Sequence, residues 1–145
     1  MLDRVETYTE THQSLIDQME VRASAIHGRG TFIKCNIDRR RKLGEISGEL
    51  VSLPGARKKI ETQSAIYFIE LNTKYALDCS QGNILKFLNH SCKPNCYLRI
   101  YRNRVEVYSL GKIDAGAELT IDYDETPHKN GMECNCGAEG CRGLI

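Results

Sequence analysis

Three of the seven cysteines in this 145-residue chain sit in a tail that reads Cys134-Asn135-Cys136-Gly137-Ala138-Glu139-Gly140-Cys141. Seven is an odd number, so they cannot all pair within one chain. A C-x-C-x4-C spacing with two glycines in its last interval suits a backbone wrapped tightly around one ion. In a reducing compartment clustered thiols serve as metal ligands more often than as disulfides. Thiolates and a short tail point to zinc, and structural zinc takes four ligands in a tetrahedron. The tail supplies three. His128 is the local candidate for the fourth; Cys35, Cys79, Cys92 and Cys96 are the distant ones, and spacing does not choose among them. The competing reading, unpaired surface thiols, leaves unexplained how a tail with almost no apolar residues becomes ordered, which metal binding accounts for.

Upstream, Asn89-His90-Ser91-Cys92-Lys93-Pro94-Asn95-Cys96 closes the apolar run that begins at Gly82. It combines a helix end, a polar Asn-His pair, a thiol and a Pro-Asn turn. His27-Gly28-Arg29-Gly30 places two glycines one residue apart, which marks a tight turn or a close approach of ligand to backbone. A lone G-x-G is weak as a nucleotide fingerprint. Tyr67 lies in an apolar run and Tyr123 at a strand end; read alone, the first is a core tyrosine and the second serves a core or a site equally well. His90 alone reads as a capping or core histidine, with its backbone expected to matter more than its ring. Cys35, Cys79 and Cys96 lack ligand-like spacing and read as small buried hydrophobes.

The elements that must carry these residues are short. Residues 1–19 read as an arm. Strands are predicted at 19–22, 32–33, 43–51 (two, around Gly48), 66–71, 75–79, 97–101, 105–110 and 118–123, with a hairpin connection at Arg102-Asn103-Arg104. Helices are predicted at 56–63, with Pro54-Gly55 as start signal, and at 83–88. The chain is therefore mostly β with few short helices. Long helices do not alternate with strands, which excludes a doubly wound dinucleotide fold.

The length suits one domain. A net charge of +1 argues against direct nucleic-acid binding as the main task, and Arg39-Arg40-Arg41-Lys42 reads as a solvated loop rather than a phosphate patch. No apolar run approaches the roughly 20 residues of a membrane span, and the polar first 20 residues have no secretory core. An intracellular protein is expected.

Asn89-His90-Ser91-Cys92-x-Pro94-Asn95-Cys96, Glu118-Leu119-Thr120-x-Asp122-Tyr123, His27-Gly28-Arg29-Gly30 and the tail from Cys134 to Cys141 occur in the order seen in SET-domain protein lysine methyltransferases. The chain resembles the trithorax type, with the zinc module called post-SET at its end. The resemblance covers about residues 20–145 and implies a SET domain over 20–125 and a zinc-binding tail over 126–145. It implies small, mostly antiparallel sheets around a pseudoknot that threads the segment ending in Asn-His through the one ending in the last tyrosine. It implies S-adenosylmethionine as cofactor and Cys92, Cys134, Cys136 and Cys141 on one structural zinc.

By matching position, His27, Gly28, Arg29 and Gly30 would lie against the cofactor, Asn89 and His90 would hold it largely through main-chain contacts, and Asn135 would touch it from the tail. Tyr67 would stand between cofactor and substrate channel, and Tyr123 matches the catalytic tyrosine. Two positions depart from the pattern. Ile121 stands where many members carry Phe or Tyr, so the channel is expected to admit di- or trimethylated product. Leu144 stands where related tails often have an aromatic ring, giving apolar cover without stacking. The implied substrate is a lysine-containing protein, a histone tail or another basic protein; accessory proteins that order the short insertion around 54–65 are a further expectation. Localisation follows the organism: nuclear in a eukaryote, cytoplasmic in a bacterium. The competing functions are a catalytically silent SET module that binds a peptide in its groove, for which an intact Tyr123 is superfluous, and a zinc-dependent interaction domain, which leaves the glycine turn unexplained.

Overall fold

The computed structural model describes residues 14–62, 67–123 and 133–145. In chain order the elements are a 3₁₀ helix (Ile16–Gln18), β1 (Met19–Ala23), β2 (Arg29–Ile33), β3 (Lys42–Ile46), β4 (Glu49–Ser52), α1 (Leu53–Thr62), β5 (Phe68–Glu70), β6 (Tyr75–Asp78), a second 3₁₀ helix (Ile84–Phe87), β7 (Asn89–His90), β8 (Cys96–Tyr101), β9 (Arg104–Ser109) and β10 (Thr120–Ile121). The expected arrangement of small sheets is what forms. β1 pairs with β2, β3-β9-β8 and β4-β6-β5 are three-stranded and antiparallel, and β7 pairs with β10.

β9 alternates in burial, so Val105, Val107 and Ser109 face inward. It returns from β8 through Arg102-Asn103, with φ of 50° and 62°, the left-handed pair of a type I′ hairpin turn. The main core joins Ile33, Leu43, Leu85, Val105, Val107 and Leu119, all essentially inaccessible. Shortening such a leucine to alanine costs about 2–5 kcal/mol. α1 starts at Leu53 rather than 56, because Pro54 fits a first helical turn, and it buries Leu53 and Ala56 against Ala76. Leu15 and Ile16 pack on the main core, and the Leu15 N–H donates to the Leu43 carbonyl at 2.8 Å. Residues 1–13 of the expected arm, residues 63–66, and His128 with the rest of 124–132 lie outside the described residues.

The predicted helix at 83–88 is the short 3₁₀ turn Ile84–Phe87: the Asn83 side chain caps it at Leu85 N–H, and Leu88 is already extended (ψ 118°). The predicted strand 118–123 shrinks to Thr120–Ile121, because its flanking polar groups pair elsewhere. Leu119 N–H donates to Thr31 O at 2.8 Å, and Tyr123 N–H donates to a ring nitrogen of His90 at 3.0 Å.

β7 and β10 run parallel, with Asn89 opposite Thr120 and His90 opposite Ile121. Asn95 laces the same segments from the other end: its side-chain N–H donates to Glu118 O at 2.8 Å, and its Oδ1 accepts Thr120 N–H at 2.9 Å. Residues 118–123 are thus threaded between β2 and 89–96, as the expected pseudoknot requires. Arg39 and Arg40 are exposed in the connection to β3, whereas Lys42 lies between Glu45 (3.0 Å) and Glu106 (2.8 Å).

Candidate active site and metal centre

The glycine turn follows β1 and enters β2. Gly28 has φ 46°, a conformation that favours glycine. Ser24 gathers the turn: its Oγ accepts Ile26 N–H at 3.0 Å and donates to the Glu118 carboxylate at 2.8 Å. From the opposite side the Asn89 amide donates to His27 O (3.1 Å), Arg29 O (3.1 Å) and Glu118 Oε2 (2.9 Å). Gly30 is packed so closely that an added Cβ would lie 2.3 Å from Glu118 Oε2. His27, Gly28 and Arg29 stay exposed above this network, and the Arg29 guanidinium lies 4.8 Å from the centre of the Phe87 ring.

Tyr123 lies two residues past the last residue of β10. Its hydroxyl donates to Leu88 O at 2.5 Å, and its ring lies 5.4 Å from that of His90. Burial, with the nearby charges of Glu118 and Tyr67 adding to it, pushes the phenol up to about 12. Tyr123 therefore keeps its proton at neutral pH and acts as a polar, oriented hydroxyl, not as a base. Tyr67 is half-buried, meets Phe87 edge to face at 5.9 Å, and accepts Cys79 N–H on its carbonyl. Ile121 is buried in the main core beside Tyr123.

The tail returns to 89–96. Ligand atoms of His90, Cys92, Cys134 and Cys136 all lie within 4.8 Å of one another. Cys92 and Cys134 Sγ are 3.8 Å apart, while a tetrahedral zinc with Zn–S bonds of about 2.3 Å holds its sulfurs about 3.8 Å apart. Cys141 adjoins the group, its Sγ 4.0 Å from Cys134 O and its side chain interacting with those of Cys134 and Cys136. Backbone N–H groups of Cys92 and Ala138 draw the Cys136 thiol below its ordinary value, while the neighbouring Cys134 thiol is raised, so the cluster favours a thiolate on Cys136 over one on Cys134. This is a soft, sulfur-rich donor set that fits zinc. Asn135 is exposed, and Leu144 is 61% exposed while Ile145 beside it is buried. Cys79 and Cys96 are buried and pushed up to about 12 by burial; Cys35 is half-buried against the core.

The fold thus brings Tyr67, Tyr123, Asn89, His90 and the glycine turn together, and gathers Cys134 and Cys136 with Cys92 and His90, whereas Cys141 stands beside that group and not within it. Sequence reasoning assigned no role to Ser24, Glu118 or the Leu88 carbonyl. Glu118 was visible inside its motif, but a carboxylate placed to receive both Ser24 and Asn89 is a tertiary fact. A main-chain carbonyl leaves no signal in residue types at all.

The family model for the SET domain matches residues 28–124. Over 133 residues, 84% of the chain, the sequence is 37% identical to human histone-lysine N-methyltransferase 2B. It is 30% identical over 151 residues (98% of the chain) to histone-lysine N-methyltransferase trithorax of Drosophila virilis. It is 34% identical over 138 residues (88%) to the H3 lysine-4 specific histone-lysine N-methyltransferase of Schizosaccharomyces pombe. The chain spans 5%, 4% and 15% of the lengths of these relatives.

Proposed function

We infer that this chain, which belongs to the SET-domain family, transfers methyl groups from S-adenosylmethionine to the side-chain amine of lysine in a protein substrate, with histone tails as the substrate class. The observation that carries the reading is Tyr123, buried, protonated at neutral pH and fixed to Leu88 O where the two threaded segments meet. The relatives named above, each a histone-lysine N-methyltransferase by name, support the substrate class. A histone substrate places the reaction at chromatin. Among the described residues, no helix is long and apolar enough to cross a membrane.

When bound, S-adenosylmethionine supplies an electrophilic sulfonium methyl for in-line attack by a neutral lysine amine. The site's chemistry fits such a group. Residues 27–29 are exposed on a turn braced from below, Arg29 offers a cation suited to a carboxylate, and Phe87 an aromatic face. In this reading the backbones of Asn89 and His90 hold the cofactor with that turn, Asn135 and Leu144 cover it from the tail, and Tyr67 separates it from the lysine channel. Exposed Leu144 is free to supply that cover.

The chain's own contribution is positioning and exclusion of water. Lysine's ordinary pKa of about 10.4 leaves little neutral amine at pH 7; desolvation in the channel lowers it. Tyr123 keeps its hydroxyl proton on Leu88 O, which leaves its oxygen lone pairs for the reacting amine. Cys92, Cys134, Cys136 and Cys141 would hold one zinc, anchoring the tail to 89–96; His90 is the other donor within reach. Ile121 is buried; being smaller than an aromatic ring, it would leave room for di- or trimethyl-lysine.

The test is transfer of labelled methyl from S-adenosylmethionine to histones by the zinc-loaded chain, beside Tyr123→Phe. Label transfer that the variant loses supports the enzyme. Cofactor binding with no transfer to any lysine-rich protein, even with accessory proteins supplied, supports a silent binding module instead.

A further inference from the structure

We propose that the Glu118 carboxylate, held beneath the glycine turn with no cationic side chain to neutralise it, makes the site selective for a cationic cofactor. It favours a sulfonium over the neutral thioether left once the methyl has gone. The inference rests on the S-adenosylmethionine reading above and goes beyond it.

Glu118 is half-buried, and both its carboxylate oxygens are occupied by neutral donors. The Ser24 hydroxyl lies 2.8 Å from Oε1 and 2.9 Å from Oε2, and the Asn89 amide donates to Oε2 at 2.9 Å. Such donors satisfy lone pairs and leave the net charge in place. Among the described residues, no Arg, Lys or His forms an ion pair with this carboxylate. The cations of the adjoining strands are engaged elsewhere. Arg22 lies 4.0 Å from the centre of the Phe32 ring and donates to Gly116 O at 3.3 Å, and Arg29 lies over Phe87. Partial burial keeps water from screening the charge as it would at the surface.

The charge is placed where a cofactor would feel it. A Cβ on Gly30 would collide with Oε2, so the carboxylate presses against the backbone of the turn. The Asn89 amide that touches Glu118 also holds that turn, through His27 O and Arg29 O. The field extends to Tyr123, whose phenol is raised by burial first and by the charge of Glu118 after it. A brace alone needs no charge, since a neutral amide at this position could accept from the same two donors. S-adenosylmethionine carries a positive sulfonium. When the methyl passes to a neutral lysine amine, the positive charge passes to that nitrogen and the sulfur becomes neutral. The attraction to Glu118 is then lost, which favours exchange of spent cofactor for fresh.

The test measures binding of three ligands to the full chain by calorimetry: S-adenosylmethionine, neutral S-adenosylhomocysteine, and sinefungin, which carries an ammonium where the cofactor has its sulfonium. Wild type should bind both cationic ligands about tenfold more tightly than the neutral one. Glu118→Gln keeps the size and an acceptor and removes the charge. It should weaken the two cationic ligands about tenfold and leave S-adenosylhomocysteine unchanged. Ser24→Ala loosens the same brace and keeps the charge, so it should weaken all three alike. Equal weakening of all three in Glu118→Gln would make Glu118 a brace only and overturn the proposal. So would a wild type that binds the neutral ligand as tightly as the cationic ones. Should Glu118→Gln not fold, the wild-type ranking and Glu118→Asp decide: the aspartate variant keeps the charge and must keep the preference, and its loss there overturns the assignment. A wild type that binds none of the three would overturn the cofactor reading, and this role with it.

Discussion

The hydroxyl of Tyr123 donates to the carbonyl of Leu88, 35 residues earlier, at 2.5 Å. This bond fixes where the phenolic oxygen points, and it crosses from two residues past β10 to the residue just before β7. Tyr123→Phe leaves the ring and removes the hydroxyl. Transfer should fall about 10²–10³-fold in kcat, while S-adenosylmethionine binding by calorimetry changes little. Leaving Leu88 O without its partner should cost about 1–3 kcal/mol in urea unfolding. A variant with full kcat would remove Tyr123 from the chemistry.

Gly30 and Gly28 are glycines for different reasons. A Cβ at Gly30 would meet Glu118 Oε2 at 2.3 Å and Asn89 Nδ2 at 3.2 Å, and that carboxylate is pinned by Ser24 and Asn89. At Gly28 a Cβ meets nothing within 4 Å, but φ is 46°. Gly30→Ala should therefore cost about 1–3 kcal/mol and weaken cofactor binding at least tenfold as the turn is pushed off Asn89. Gly28→Ala should cost about 1–2 kcal/mol through backbone conformation alone. Equal cofactor affinity in Gly30→Ala and wild type would show that the brace does not shape the site.

Cys92 ties the tail to the strand that carries Asn89 and His90. Cys92→Ser should bind less than one zinc per chain by metal analysis, expose the tail to protease, and weaken S-adenosylmethionine binding at residues it does not touch. Chelating zinc from the wild type should reproduce all three effects. Unchanged zinc content in the variant would contradict the ligand assignment.

Ile121 predicts the product. Wild type should accumulate di- and trimethyl-lysine in a peptide mass spectrum. Ile121→Tyr should shift the distribution toward monomethyl, at about 1–3 kcal/mol of stability for overfilling a buried site. Monomethyl product alone from the wild type at long incubation would sink this reading.

Burial pushes Cys79, Cys96 and Tyr123 each up to about 12, from ordinary values of 9.0 for the thiols and 10.0 for the phenol. The folded state keeps these protons at a pH where the unfolded chain has lost them. Their contribution to stability is complete below pH 9.0 and declines as pH rises toward 12, by at most about 1.4 kcal/mol per unit for each group. Urea midpoints measured from pH 8 to 11 should therefore fall. Cys96→Ala should flatten the decline by one group's share, and an unchanged slope in that variant would show that the thiol titrates as if exposed.

Residue types pointed to where the candidate site would lie. The C-x-C-x4-C spacing suggests a metal site because thiolate chemistry constrains both residue and interval, and two of its cysteines do lie beside Cys92. The strand alternation of 97–101 and 105–110, with Arg102-Asn103 between, announces a hairpin because turn and side-chain periods are local. Four ordered motifs pointed to one family, and the match over 28–124 agrees. Tertiary structure decided what local pattern does not carry. Strand 118–123 became two paired residues because Glu118, Leu119 and Tyr123 found partners in Phe32, Thr31 and His90, far away in sequence. The ring of His90, expected to matter less than its backbone, proved to touch both Tyr123 and Cys92. Those contacts depend on how the threaded chain sets residues 92 and 123 beside residue 90, and no spacing of letters contains those distances.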